Sequence, residues 1–242
     1  MSELARQVKV LFFDVFGTVV DWRGSVAREA AAFFAPRGID RDWLQFAERW
    51  RARYQPAMER VRCGERPFVP LDALHRENLL DLLAEFDLHG LQDAEIDQLN
   101  LAWHRLDPWP DAVAGLATLK RRFIIAPCSN GNIALMVNMA KRAGLPWDVI
   151  LGAEVARVYK PQPECYLGSC AALNNPPGEV MMVAAHNDDL RAASRCGLRT
   201  AFVARPLEHG PGQRADLKPE DVFDLTAFDF LDLADQLGCA PS

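Results

Sequence analysis

Apolar and polar positions alternate in two different rhythms along the chain. Residues 8–13 make a short, nearly continuous apolar run (Val8, Val10, Leu11, Phe12, Phe13), the pattern of a strand buried on both faces of a parallel sheet. Residues 14–21 carry Gly17 and several polar groups, so the strand ends there in a turn. From Ser25 the spacing changes. Val26, Ala30, Phe33 and Phe34 recur at helical intervals, with Ser25 placed to cap the helix. Helical patterns continue to about Leu106. Trp43, Phe46, Ala47 and Trp50 share one face, and Leu71, Leu74, Leu79, Leu82 and Leu83 supply others. Asp107, Pro108, Trp109 and Pro110 then break the run.

Beyond that break, short apolar runs and helical stretches alternate. Strands are predicted over 123–126, 149–151, 180–184 and 200–203, with helices over 112–120, 133–143, 164–173 and 190–196. Gly144 and Gly197 stand where two of these helices should stop. Residues 208–213 read as a flexible loop. Strand and helix in regular alternation predict an α/β fold: a doubly wound parallel sheet with a Rossmann-like core. The helical stretch interrupts this core after its first strand. The expected division is a core domain of residues 1–21 and 109–242 and an inserted helical cap domain of residues 22–108.

Composition narrows the function. The chain has 242 residues, half of them apolar, so it can bury a substantial core. A net charge of −6 argues against a nucleic-acid binder. Six scattered cysteines and five histidines show no zinc-type spacing, and buried thiols in a reducing cytoplasm are expected. Residues 1–9 are polar and the apolar run after them is short, so neither an export signal nor a membrane span is expected.

In open α/β sheets, ligands bind beyond the carboxyl ends of the strands. The first predicted strand ends at Asp14 and Thr18, the second at Ser129 and Asn130, and the strand over 180–184 at His186, Asn187 and Asp189. A further cluster, Tyr159-Lys160-Pro161, precedes the helix over 164–173. Any one of these groups is read most simply as a turn or a helix cap. Four of them, each at a ligand position, point to a site.

The same residues resemble the motifs of the haloacid dehalogenase superfamily. Phe13-Asp14-Val15-Phe16-Gly17-Thr18 resembles its nucleophile motif, and Cys128-Ser129-Asn130-Gly131-Asn132 its second. Val158-Tyr159-Lys160-Pro161 resembles the lysine motif, and residues 183–189 the acidic motif. The superfamily's phosphatases usually place a second aspartate two residues after the nucleophile. Phe16 stands there, as an aromatic does in the L-2-haloacid dehalogenase (type II) branch. Trp50-Arg51 and Tyr166 also match that branch. His186, Asp188 and Ala184 depart from its best-known members, which have asparagine, tryptophan and serine.

The resemblance implies hydrolytic dehalogenation of short 2-haloalkanoic acids to 2-hydroxy acids, with inversion at C2. Asp14 would be the nucleophile, positioned by Thr18, and Lys160 would keep it ionised. Asp189 would orient Lys160 and polarise water. Phe16, Arg51, Ser129, Asn130, Tyr166, His186 and Asn187 would bind substrate, with Arg51 and His186 towards the halide. A carboxylate at Asp188 would favour a charged His186, and with it tolerance of fluoroacetate. No cofactor and no metal is expected. A small 2-haloacid would be the partner, and a homodimer is implied by resemblance alone. Two alternatives stand beside this reading: a Mg-dependent phosphatase or phosphonate hydrolase of the same superfamily, favoured by the Asp188-Asp189 pair, and a non-catalytic member.

Overall fold

The computed structural model describes residues 3–239. A short helix α1 (Glu3–Gln7) leads into β1 (Val10–Phe13), all four of whose residues are buried. The chain then turns through the nucleophile motif to β2 (Val20–Asp21) and runs through α2 (Trp22–Phe34), α3 (Trp43–Ala52), α4 (Tyr54–Arg62), α5 (Leu71–Glu85) and α6 (Asp93–Asn100). It returns at β3 (Asp107–Pro108), which pairs antiparallel with β2. Strand and helix then alternate: α7 (Ala112–Lys120), β4 (Ile124–Ser129), α8 (Ile133–Ala143), β5 (Leu151–Gly152), α9 (Ala153–Ala156), α10 (Pro163–Ala172), β6 (Val180–Ala184), α11 (Asn187–Arg195), β7 (Arg199–Val203), β8 (Leu225–Ala227) and α12 (Phe230–Gln236).

The parallel sheet has the order β5-β4-β1-β6-β7-β8. β1 lies in the middle, and the chain builds outward from it first one way and then the other. The crevice at such a reversal is where doubly wound sheets bind ligands. Phe13 is level with Pro127 on β4 and with Val183 on β6, so Asp14 emerges beside the ends of both neighbours. The helices between β2 and β3 pack around an aromatic cluster continuous with the core beneath it, in which Trp103 stacks on His75 and Trp22 and meets Trp50 edge-on.

Local chemistry moves several predicted boundaries. α2 starts at Trp22 because the Asp21 side chain caps it, accepting from Gly24 N at 2.9 Å. Ser25 lies inside the helix instead, and its hydroxyl accepts from Asp107 N at 2.8 Å. α11 begins at Asn187, so Asp188 and Asp189 form its first turn. β8 was not predicted; it is a three-residue edge strand whose first two residues are only partly buried or exposed. The loop after β7 is anchored rather than free, because Glu208 within it is buried.

Candidate active site

Asp14 is held by the turn that follows β1. Its N–H donates to Val183 O at 3.0 Å, while Gly17 takes a left-handed φ of 89° and donates to Val20 O at 3.0 Å. These bonds fold the loop so that the carboxylate faces the crevice from a buried position. Oδ1 accepts from Lys160 Nζ at 2.9 Å, and Oδ2 accepts from Thr18 Oγ1 at 2.9 Å. Thr18 is fixed in turn, accepting from Ala185 N at 2.9 Å. Arg205 grips the loop from behind: its Nε donates to Thr18 O at 2.8 Å, and its terminal nitrogens bond both oxygens of Asp111 at 2.8 Å.

Lys160 reaches Asp14 from the loop before α10. Asn130 Oδ1 accepts from its backbone N at 2.8 Å, and Arg62 of α4 donates to its carbonyl at 2.9 Å. Nζ also lies 2.5 Å from Asp189 Oδ2, and Tyr166 donates its phenol proton to the other Asp189 oxygen. Ser129 turns inward and accepts from Gly131 N at 3.1 Å, which shapes the loop entering α8. Burial would raise the Asp14 carboxyl and depress the Lys160 ammonium. Their attraction reverses both tendencies, leaving Asp14 well below the usual carboxylate range and Lys160 well above the usual ammonium range. Burial, and the Asp189 carboxylate beside it, push the Tyr166 phenol far up, so it acts as a donor and stays neutral.

On the far side of the crevice, α3 and α4 bring in Arg51 and Tyr54. The Arg51 guanidinium lies over Tyr54 at 4.1 Å, Trp22 at 5.5 Å and Phe16 at 5.6 Å from each ring centroid. Its Nη1 is buried and has no hydrogen-bond partner. A buried cationic donor without an acceptor costs free energy until an anion takes that place. Phe16 closes the wall beneath it, edge-on to Tyr54 and Trp103. Behind them His75 is stacked on Trp103, and burial pushes its pKa down to about 3, so it is neutral.

His186 stands between two carboxylates. Nδ1 is 3.1 Å from Asp14 Oδ2, and Nε2 is 2.9 Å from Glu208 Oε2. Burial disfavours the imidazolium, but Glu208 and Asp14 together hold its pKa well above the ordinary histidine value. Glu208 is itself kept below the usual carboxylate range, against its burial, chiefly by His186. The expectation that Asp188 would charge His186 is corrected here: the Asp188 side chain is 96% exposed and pairs with Arg191 at 2.7 Å.

These groups border a cleft of about 820 Å³ that reaches from Asp14 and Lys160 across to Arg51 and Tyr54. Residues 8–197 match the sequence model of the haloacid dehalogenase-like hydrolases. The chain belongs to that family. Among curated haloacid dehalogenases, (S)-2-haloacid dehalogenase 4A of Burkholderia cepacia is 28% identical over 225 residues, spanning 88% of this chain and 94% of that one. Among solved structures, the defluorinating L-2-haloacid dehalogenase Rha0230 is 51% identical, covers 95% of each chain and superposes with a TM-score of 0.93. The L-2-haloacid dehalogenase PA0810 is 49% identical with the same TM-score, over 96% of this chain and all of that one.

All but one of the expected residues of this dehalogenase-like hydrolase fall into two groups. Asp14, Arg51, Asn130, Lys160, His186 and Asp189 border the cleft. Thr18, Phe16, Ser129 and Tyr166 are buried behind it. Asn187 faces elsewhere: its amide donates to Asp216 and to Lys218 O and accepts from Glu220 N, which pins the loop before β8. Tyr54 and Glu208 were not anticipated. Tyr54 lies at a helical position next to Arg51 and reads as core, and Glu208 sits in a polar stretch that carries no motif. A metal would need free carboxylates, but both oxygens of Asp189 are engaged by Lys160 and Tyr166, and Phe16 offers no ligand.

Proposed function

We propose that this protein is an L-2-haloacid dehalogenase that converts short 2-haloalkanoic acids to 2-hydroxy acids through an ester on Asp14. The observation that carries the reading is the pairing across the cleft of an ionised, buried Asp14 with a buried Arg51 nitrogen that has no partner. One is a nucleophile and the other is a seat for an anion. A leaving halide needs that seat and needs no proton, which agrees with an aromatic at Phe16 where a phosphatase would carry an acid.

In this reading Asp14 Oδ1 attacks C2 from the side opposite the halogen. The C–O bond forms as the carbon–halogen bond breaks, and halide leaves with its electron pair towards Arg51. Both ring nitrogens of His186 are engaged, so the halide is left to Arg51. Water then attacks Cγ of the ester and loses one proton to Asp189. The Cγ–Oδ1 bond breaks, the hydroxy acid departs as an alkoxide that carries Oδ1 with it and takes a proton from Lys160, and Lys160 recovers one from Asp189. Asp14 ionises and releases the remaining proton to solvent. Asn130, beside Lys160, is assigned to the substrate carboxylate. The region between β2 and β3, placed over the crevice by α3 and α4, acts as the cap that excludes bulk water.

The likeness to Rha0230 and the charge of Arg51 support fluoroacetate as a substrate beside chloro- and bromoacetate. The six free cysteines support a cytoplasmic location. The deciding experiment is a single turnover in ¹⁸O-water. Label should appear first in the Asp14 carboxylate, and Asp14→Asn should abolish halide and fluoride release while folding normally. Label found directly in the hydroxy acid would mean that water attacks C2 and that the ester route is wrong.

A further inference from the structure

We infer that Glu208 is a positioning residue for ester hydrolysis: its buried carboxylate holds His186 so that Nδ1–H donates to Asp14 Oδ2, the oxygen that becomes negative when water attacks the ester. This rests on the dehalogenase reading above and adds a part of the machinery to it.

The geometry distinguishes the two oxygens of Asp14. Oδ1 meets Lys160 alone, whereas Oδ2 meets both Thr18 and His186. The oxygen with two donors is the poorer nucleophile and the better carbonyl oxygen. Oδ1 therefore forms the bond to C2, and Oδ2 remains as the ester carbonyl. On attack by water, the electron pair of that carbonyl moves onto Oδ2, where Thr18 Oγ1–H and His186 Nδ1–H already point. Preorganised donors aimed at a developing oxyanion are among the strongest devices an enzyme has.

That arrangement works only if His186 carries a proton on Nδ1. With both flanking carboxylates ionised, either neutral tautomer would set a bare ring nitrogen against a carboxylate oxygen. The imidazolium donates to both. Glu208 is built for this task. Its side chain is 1% exposed, and Oε1 accepts from Trp22 Nε1 at 2.9 Å, leaving Oε2 for His186. His209 lies 3.6 Å from Oε1, and the positive charge of Arg51 also acts on Glu208. On the other side the charged neighbours are Asp14 and, through it, Lys160. The nucleophile loop makes room for the carboxylate: a Cβ at Gly17 would stand 2.1 Å from Glu208 Oε1. The same glycine that lets the chain turn after Asp14 thus admits the group that charges His186.

The test separates the two half-reactions. In Glu208→Gln, the amide nitrogen can donate to His186 Nε2, so the ring stays in place with Nδ1–H towards Asp14 Oδ2 but becomes neutral, and the developing oxyanion loses the positive charge that strengthens this donor. At pH 8, quenched-flow mass spectrometry on chloroacetate should show the Asp14 ester forming at least as fast as in the wild type. Its hydrolysis should slow about tenfold or more, so the ester accumulates. Imidazole ¹⁵N shifts should report a doubly protonated His186 at pH 8 in the wild type and a singly protonated ring in the variant. A merely structural role for Glu208 would slow both steps together and leave the ring charged. A wild-type His186 that is neutral at pH 8 overturns the inference without any variant, as does a Glu208→Gln enzyme with an unchanged hydrolysis rate. Absence of any ester or halide release in the wild type would instead overturn the dehalogenase reading.

Discussion

Arg51→Met should separate activity from stability. Methionine has a similar reach and keeps apolar contact with Tyr54, Trp22 and Phe16, but removes the guanidinium that lies over the three rings. The cation–π energy of this one guanidinium, shared among the three rings, is worth about 2 kcal/mol, part of which methionine–aromatic contact restores. Against that loss stands a gain, because the buried Nη1 without a partner costs about 1–3 kcal/mol in the empty enzyme. The two nearly offset, so Tm should move by no more than about 4 °C in a domain of this size. Catalysis has no such offset. Charge builds on the halogen only as the C2 bond breaks, so the donor acts on the transition state and its loss falls on kcat. Removal of a comparable oxyanion donor costs about 2.7–4 kcal/mol, or roughly a hundred- to a thousandfold. Halide release at saturating chloroacetate, read beside a thermal melt, checks both halves. A loss of activity under tenfold would remove the halide from Arg51, and a fall in Tm beyond about 10 °C would make the arginine structural.

Three further outcomes are expected. Chelation with EDTA should leave chloroacetate turnover unchanged, because the Asp189 oxygens are held by Lys160 and Tyr166; dependence on Mg²⁺ with phosphate release from simple esters would favour a phosphatase. His186 has a raised folded pKa, so its stabilisation is complete below its unfolded value of about 6.5 and is lost as pH rises through the folded value, at up to about 1.4 kcal/mol per pH unit. Asp14 and Glu208 are depressed, so their contributions hold above about pH 4 and fade as pH falls through their folded values; urea melts should therefore show an alkaline decline that His186→Asn flattens. Asp111→Ala should destabilise the fold by about 3–5 kcal/mol in urea unfolding, because it leaves Arg205 buried without its bidentate partner behind Thr18.

Much of the site was legible in the chain because its residues follow strand ends, where an apolar run gives way to polar groups. Asp14, Ser129, Asn130 and His186 are of this kind, and the parallel sheet brings them together. Asp189 belongs to the same strand-end cluster as His186, and Lys160 to the polar cluster before the helix over 164–173; the motif resemblance supplied the roles of both. The residues that escaped act across distance. Glu208 meets His186 from another loop, and no local pattern distinguishes it from the exposed acidic groups nearby. Asp188, adjacent to Asp189 and two residues from His186, looked better placed, but the helix turn carries its side chain outward to Arg191. Serine is a common cap, so Ser25 reads as one; Asp21, at the end of a two-residue strand too short to show as a pattern, caps the helix instead.

The narrow ribbon of β2 and β3 has a consequence for how this enzyme can change. Val20 lies opposite Pro108 and Asp21 opposite Asp107, so the chain leaves the sheet and comes back through a single doorway. Trp109 latches that doorway, donating through Nε1 to Gly17 O at 2.8 Å. Residues 22–106 are thus a loop already closed at its base, and even doubling the length of such a loop adds only about 0.6 kcal/mol of closure entropy. New material can be spliced into it, or old material exchanged, with little strain on the sheet. Arg51 and Tyr54 lie within that loop, whereas Asp14, Lys160, His186, Asp189 and Glu208 lie outside it. The choice of substrate and leaving group can therefore drift among descendants while the nucleophile and the groups around its ester are inherited intact.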